Sequence, residues 1–545
     1  MLFRLSHLLS ALCGVSAVAA QTYPITGVKV ASGSDVPIRK NINDLQAAGG
    51  PQWDLYIRSI IELQKQSASD QGSWFQVAGI HGRPYVEWNG AGKETSNGWE
   101  GYCPHGENLF LPWHRPYLML YEQRLVETAT KLANQYPSSS RAKYVAAAAT
   151  LRSPYWDWAA TSAVPQATVT KKFNVNVPNG SGLKVQSVNN PLAAYFFPKS
   201  ALDGAFGTFD QPQNRPQIYR CRSPQNYPNS ANKLISGRSY KQWVYDAFSA
   251  STTFDEFAST GSSGVSLEQI HNTIHWDGAC GYQFVDADFA AFDPLFMLHH
   301  TNIDRLWAYW QFIRPSEASF KSPYQGSARF NTREGTTITP NSPLQPFFSA
   351  PGKFHTPASV ASIKGFGYTY EGLEYWRKSA SQLSTDATAL INRLYSTSIT
   401  RPKMRKRAGD DLTRYFAQIE VNVEELNRPC SIGLFVNTTN VGNFIVLKQP
   451  QTGVFYGKFA LDKAANPNEL VGEAPKGVVD DILAGLRVNI VKHDGTSQAI
   501  TEVPSLKIEL ENAALLPPDN DDQLPEYKDA KKVTAPKKQR KPPTV

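Results

Sequence analysis

Seven histidines crowd into two short stretches of this chain. His81, His105 and His114 form one group, and His271, His275, His299 and His300 form the other. No other feature limits the possible folds as much. His271 and His275 are spaced i and i+4, which sets both rings on one face of a helix. His114 opens one helical stretch and His300 sits inside another. Helices that turn imidazoles inward are one way to build a metal site within a bundle. A lone histidine of this kind is more often an ordinary hydrogen-bonded core residue, but that explanation is poor for seven gathered together. His355 and His493 have no such company and read as surface or loop residues.

The donor set narrows the metal. All-imidazole ligation suits zinc, copper, iron or nickel, and neither thiolates nor carboxylates stand at ligand spacing. Hydrolytic zinc sites usually carry motifs such as HExxH, which is absent. Two trios of histidines suggest two equivalent ions instead. A pair of copper ions on neutral imidazoles can move between +1 and +2 together, which supplies the two electrons that binding dioxygen demands.

Composition removes several other classes. Of 545 residues, 41% are hydrophobic and 19% charged, enough apolar material for a large core. No internal apolar run reaches the length of a membrane span, so no membrane partner is expected. The net charge of +8 hints at nucleic acid, but its distribution does not. Residues 528–545 carry +6 and the run Arg401, Lys403, Arg405, Lys406, Arg407 carries +5, leaving −3 for the rest. No nucleic-acid partner is expected. Residues 1–20 have a basic start at Arg4, an apolar stretch from Leu8 to Ala17, and the small exit Val18-Ala19-Ala20. They read as a signal peptide cleaved before Gln21, which predicts a secreted, extracellular protein. The sequons at Asn179 and Asn437 fit that route. Cys103, Cys221, Cys280 and Cys430 are too few for a disulfide framework in a chain of this length.

The chain then divides. Residues 21–376 are aromatic-rich with helical periodicity, predicting helices over Trp53–Gln66, Pro116–Tyr136, Leu267–His275 and Pro294–Ile313. Residues 160–265 between them are loop-like. Residues 377–410 begin helical and end in the basic run, forming a linker. Residues 411–516 alternate in short apolar runs such as Ile419–Val423 and Phe444–Leu447, a β-rich module. Residues 517–545 read as a disordered basic tail. The expected fold is therefore a mainly α domain, a four-helix bundle around a binuclear copper site, followed by a β-sandwich-like domain.

Two stretches carry a family likeness. His105-Gly-Glu-Asn-Leu-Phe110-Leu-Pro-Trp113-His114-Arg115-Pro-Tyr-Leu118-Met-Leu-Tyr-Glu122 resembles the first copper signature of the tyrosinases. Asp293-Pro294-Leu-Phe296-Met-Leu-His299-His300-Thr-Asn-Ile-Asp304 resembles the second. The likeness extends over residues 24–375, and the remainder is similar to the C-terminal extension of secreted fungal tyrosinases. It implies two copper ions, one on His81, His105 and His114 and the other on His271, His275 and His300. His299 is turned roughly 100° from His300 on the helix and falls outside the ligand set. At Cys103-Pro104-His105 the likeness also implies a thioether between the sulfur and the ring. Cys221, Cys280 and Cys430 then remain. A Cys221–Cys280 disulfide is one pairing, and the sequence leaves it open.

The likeness also implies a reaction: o-hydroxylation of small monophenols and oxidation of o-diphenols to o-quinones, with dioxygen reduced to water. A monophenol has a pKa near ~10, so it must be deprotonated near the metal. Glu268, three residues before His271, and Asn272, directly after it, match the positions that hold and polarise a proton-accepting water. A catechol oxidase lacks the first step, and an oxygen carrier shares the copper chemistry; a single copper unit without repeats argues against a carrier. Phe110, Phe292 and Phe296 are placed to wall the pocket, and Asp304 to orient an imidazole or pair with Arg305. The C-terminal domain is expected to inhibit in cis by inserting Phe455 or Tyr456, from the turn Thr452–Gly457. Cleavage after Arg407 is expected to relieve the block.

Overall fold

The structure, a computed structural model, describes residues 22–210, 213–397, 412–464 and 477–535. The expected signal peptide and Arg407 lie outside them. Four helices build the centre of the first domain: α1 (Gly50–Lys65), α3 (Phe110–Ala133), α5 (Leu267–Asp277) and α6 (Leu295–Ile313), with a short α2 (Trp74–Gly79) beside them. Each forms where its sequence buries a stripe. In α1 that stripe is Trp53, Tyr56, Ile57, Ile60 and Leu63. The Ser266 side chain caps α5 by accepting from the Gln269 N–H. The helix expected from Pro116 starts at Phe110, with Pro116 inside it. A proline there removes one backbone bond, in a stretch of the helix, residues 110–123, that is buried throughout. No helix among the described residues is long and apolar enough to cross a membrane.

Residues 160–265 are more ordered than their composition predicts. They hold a hairpin of β1 (Lys172–Asn179) and β2 (Gly182–Asn189), and helix α4 (Tyr240–Ala250). Tyr240, Trp243, Val244, Ala247 and Phe248 are buried in α4. Tertiary packing of that aromatic face outweighs the surrounding Pro, Asn and Ser. The expected linker is shorter too. Helix α7 (Ala380–Tyr395) opens with a capping box between Ser379 and Gln382. It packs on α6 and α4, and the Tyr395 hydroxyl donates to Asp157 at 2.8 Å.

The second domain is a sandwich of two antiparallel four-stranded sheets. Its strands are β3 (Leu412–Asn422), β4 (Cys430–Val436), β5 (Thr439–Val446), β6 (Val454–Ala460), β7 (Leu486–Lys492), β8 (Ser497–Gln498), β9 (Lys507–Leu516) and β10 (Glu526–Thr534). One sheet runs β6-β3-β9-β10 and the other β8-β7-β4-β5. The tail expected from 517 onward is thus corrected over Glu526–Thr534. That segment pairs with β9 as an edge strand, where solvent-facing lysines are tolerated. Tyr527 anchors it by accepting from Arg414 at 2.6 Å.

The two domains are held together by buried charge as well as apolar area. Arg414 on β3 forms a two-point pair with Asp246 on α4, at 2.7 and 3.1 Å, and reaches Asp462 at 2.5 Å. Val285 of the first domain packs with Ile445 and Leu447 of the second.

Candidate metal centre

Six histidines converge between α2, α3, α5 and α6. His81 follows α2, His105 lies in the loop before α3, and His114 is in its second turn. His271 and His275 share one face of α5, and His300 comes from α6. All six are buried. The two trios meet: His114 stacks on His300 with centroids 4.5 Å apart, and His105 lies 5.8 Å from His271.

What surrounds the rings decides which nitrogen is open. His81 Nδ1 donates to Ala287 O at 3.1 Å, His114 Nδ1 to Phe110 O at 2.7 Å, and His275 Nδ1 to Phe284 O at 2.6 Å. A carbonyl only accepts, so each Nδ1 bears the proton and each Nε2 keeps its lone pair. For His271 the partner is Asn272 Oδ1 at 2.8 Å. The Asn272 amide faces Ile445 O at 3.3 Å, which settles which end of the side chain is which. His81 Nε2, His114 Nε2, His105 Nδ1 and His300 Nδ1 have no hydrogen-bond partner among the described residues. Burial pushes His81 down to about 4 and His275 to about 3, and holds the other four well below the ordinary histidine value. Neutral, buried imidazoles that each keep a ring nitrogen free of any carbonyl or carboxylate partner fit transition-metal ions.

His299 is different. It stacks on His271 at 5.0 Å, and its Nδ1 accepts from Trp158 Nε1 at 3.1 Å. Indole is a donor only, so the His299 proton sits on Nε2 and that nitrogen offers no lone pair. His299 lies within 4.8 Å of the ligand atoms of His271, His275 and His300, so its Trp158 bond is what argues, beside the helix rotation, for the expectation that it is no ligand.

Cys103 is buried and unpaired, and its sulfur lies within 4.8 Å of ligand atoms of His81 and His105. Cys221 and Cys280 form a disulfide, leaving Cys430 as a buried thiol.

Glu268 is fully buried in the first turn of α5. Its Oε1 accepts from Gly106 N at 2.6 Å, and its Oε2 from Thr260 N at 2.9 Å, Thr260 Oγ1 at 3.0 Å and Ser259 Oγ at 3.3 Å. Burial raises its carboxyl to about 7 against the lowering effect of these donors. Asn272 does not share this network. Its amide spans His271 and Ile445.

The aromatic wall is partly as expected. Phe110 meets His271 edge-on at 4.7 Å and Phe296 stacks on His300 at 4.0 Å. Phe292 instead packs with Phe75, Tyr195, Phe197 and Phe209. The ring sequence reasoning missed is Phe284, 4.4 Å from His275. It lies in a short 3-10 turn that no helical or strand periodicity marks. Asp304 pairs with Arg115 at 2.6 Å and Arg39 at 3.0 Å, whereas Arg305 goes to Asp157. Burial alone would raise Asp304, but the two guanidinium groups hold it below the usual carboxylate range. His355 is buried rather than exposed, its Nε2 on Ile25 O at 2.6 Å.

Above this centre lies β6. The Phe455 side chain is buried against Gly106. Tyr456 points the other way, and only its N–H reaches across, to Thr260 O at 2.8 Å. Both were expected in a turn; pairing with β3 makes them strand residues.

Known proteins agree with this picture. The family description "Common central domain of tyrosinase" matches residues 71–313. A tyrosinase of Podospora anserina is 35% identical over 405 residues, covering 69% of each chain. A tyrosinase of Neurospora crassa is 34% identical over 412 residues, covering 69% of this chain and 58% of its own length. In fold, recombinant mushroom tyrosinase aligns with a TM-score of 0.81 at 22% identity, over 94% of this chain and 98% of that one. An Aspergillus oryzae pro-tyrosinase variant aligns at 0.74 and 22% identity, over 96% and 99%. With a relative this similar over most of its length, the chain belongs to the tyrosinase family of type 3 copper proteins.

Proposed function

We propose that this protein hydroxylates small monophenols to o-diphenols and oxidises o-diphenols to o-quinones at a copper pair held by His81, His105 and His114 and by His271, His275 and His300. The observation that carries this is that all six imidazoles are buried together and that four of them, His81, His114, His271 and His275, have Nδ1 protons held by neighbouring acceptors, which leaves their Nε2 lone pairs for a metal. Held by these residues, a copper pair would supply dioxygen with two electrons at a time. The chain does the rest. Phe110 and Phe296 keep water from the rings, and the carbonyls of Phe110, Phe284 and Ala287 fix the tautomers. Glu268 Oε1, beside Gly106, takes the phenol proton through a water. Asn272 holds His271 in its ligating tautomer, a role supported by its 2.8 Å bond to that ring.

The proposal extends to modification and control. A thioether from Cys103 to the His105 ring replaces an S–H and a ring C–H. It releases two electrons and two protons that dioxygen can accept, and intact mass two hydrogens lighter tests it. Residues 1–20 direct secretion, and exposed Asn179 and Asn437 carry glycans. The full chain is latent, with the second domain over the centre, and cleavage after Arg407 frees it.

Oxygen uptake on a monophenol and its matching o-diphenol tests the main reading, using copper-saturated protein before and after limited proteolysis. Uptake on the diphenol alone would leave a catechol oxidase. Uptake on neither, with copper bound, would remove the enzyme reading.

A further inference from the structure

Glu268 is aimed by a loop that neither histidine stretch contains. Its Oε2 receives three donors, two from Thr260 and one from Ser259, whereas its Oε1 receives only the Gly106 N–H. Each carboxylate oxygen offers about two acceptor sites. Oε2 is therefore filled, and Oε1 keeps an open lone pair. Oε1 lies on the side of Gly106, the residue after His105, and the Phe455 ring lies against that same glycine. Ser259 Oγ also accepts from Gly261 N at 3.0 Å, and its bond to Glu268 is the longest of the four, so Thr260 carries most of the hold. The loop has little room to move: a Cβ on Gly261 would come within 2.5 Å of Gly106 O.

We propose that Thr260 is a positioning residue for proton removal from monophenols. Its hydroxyl and N–H lock Oε2 so that the free lone pair of Oε1 faces the space a phenol ring would enter. This rests on the reading of Glu268 as the proton acceptor. In the closed chain the second domain grips the same loop, because Tyr456 N–H donates to Thr260 O. The signal was invisible in the sequence, since Thr260 lies outside α5 and eight residues before Glu268.

The test compares Thr260→Val, which keeps the shape and removes the hydroxyl, with Thr260→Ser, which keeps the hydroxyl. Each copper-saturated full chain is assayed after limited proteolysis on a monophenol and its o-diphenol, with copper content and kcat measured separately from KM. A hydrogen bond to a charged group is strong enough that Thr260→Val should lower monophenol kcat by roughly tenfold. Diphenol kcat, monophenol KM and copper content should hardly change, and Thr260→Ser should recover most of the loss. Equal losses on both substrates, or no loss on either, would overturn the role of Thr260. Glu268→Gln run in parallel separates the two ideas. If it fails to discriminate between substrates, the proton-acceptor reading falls and this inference with it. If it discriminates and Thr260→Val does not, only the inference falls.

Discussion

The ring of Phe455 lies directly over Gly106. A Cβ placed on that glycine would come within 2.2 Å of the ring's Cζ, and Gly106 sits at φ +68°, where a side chain is strained in any case. The second domain thus reaches the residue that follows His105 and donates to Glu268. The contact places an aromatic ring against the glycine whose N–H binds the candidate base.

Phe455→Ala should open this space while β6 stays in place, held by its ladder to β3 and by the paired bonds of Gln269 with Lys458. The uncut variant is expected to oxidise an o-diphenol several-fold faster than the uncut parent, at a stability cost of ~3–5 kcal/mol. Oxygen uptake before any proteolysis measures it. An uncut variant as inactive as the parent would remove Phe455 as the block.

Copper content checks the histidines one at a time. His81→Ala and His271→Ala should each lose a substantial share of bound copper, whereas His299→Phe should retain it because His299 offers no lone pair. Two tightly held ions in either alanine variant would take that residue out of the ligand set.

Glu268 predicts a pH profile. With its carboxyl raised to about 7 by burial, it is protonated below that pH and cannot accept a proton. Monophenol kcat should rise through about pH 7 and level off above it. Glu268→Gln should flatten the rise and spare diphenol oxidation. A profile unchanged by the substitution would falsify the assignment.

Arg414 should hold the two domains together. Breaking its buried pairs with Asp246 and Asp462 leaves uncompensated charge, so Arg414→Ala is expected to cost ~3–5 kcal/mol. Thermal unfolding gives the loss, and faster limited proteolysis of the second domain shows where it falls. An unchanged melting temperature would mean that the pairs contribute nothing net.

Much of this was legible in the sequence. The i, i+4 pair His271 and His275 required a helix with both rings on one side, and the alternation around Ile419 and Phe444 required strands. Both are local periodicities. Burial of α4 was not legible, because it depends on which partners cover Trp243 and Phe248. Nor was β10: its lysines follow the composition of a tail, and only the open edge of β9 gives them a ladder.

At the centre the division is sharper. Sequence alone pointed to the donor chemistry, since imidazole is specified by residue type and the i, i+4 spacing of His271 and His275 sets both rings on one helix face. Tertiary structure decided the protonation and direction of several of these groups. The carbonyls of Ala287 and Phe284 fix His81 and His275, Trp158 removes His299, and Thr260 turns Glu268. Backbone carbonyls fix His81 and His275, and every residue type carries a carbonyl, while Trp158 and Thr260 act on partners far from them along the chain or on a separate element. Their identity is therefore silent in the sequence, and only the fold brings the right one within hydrogen-bonding distance.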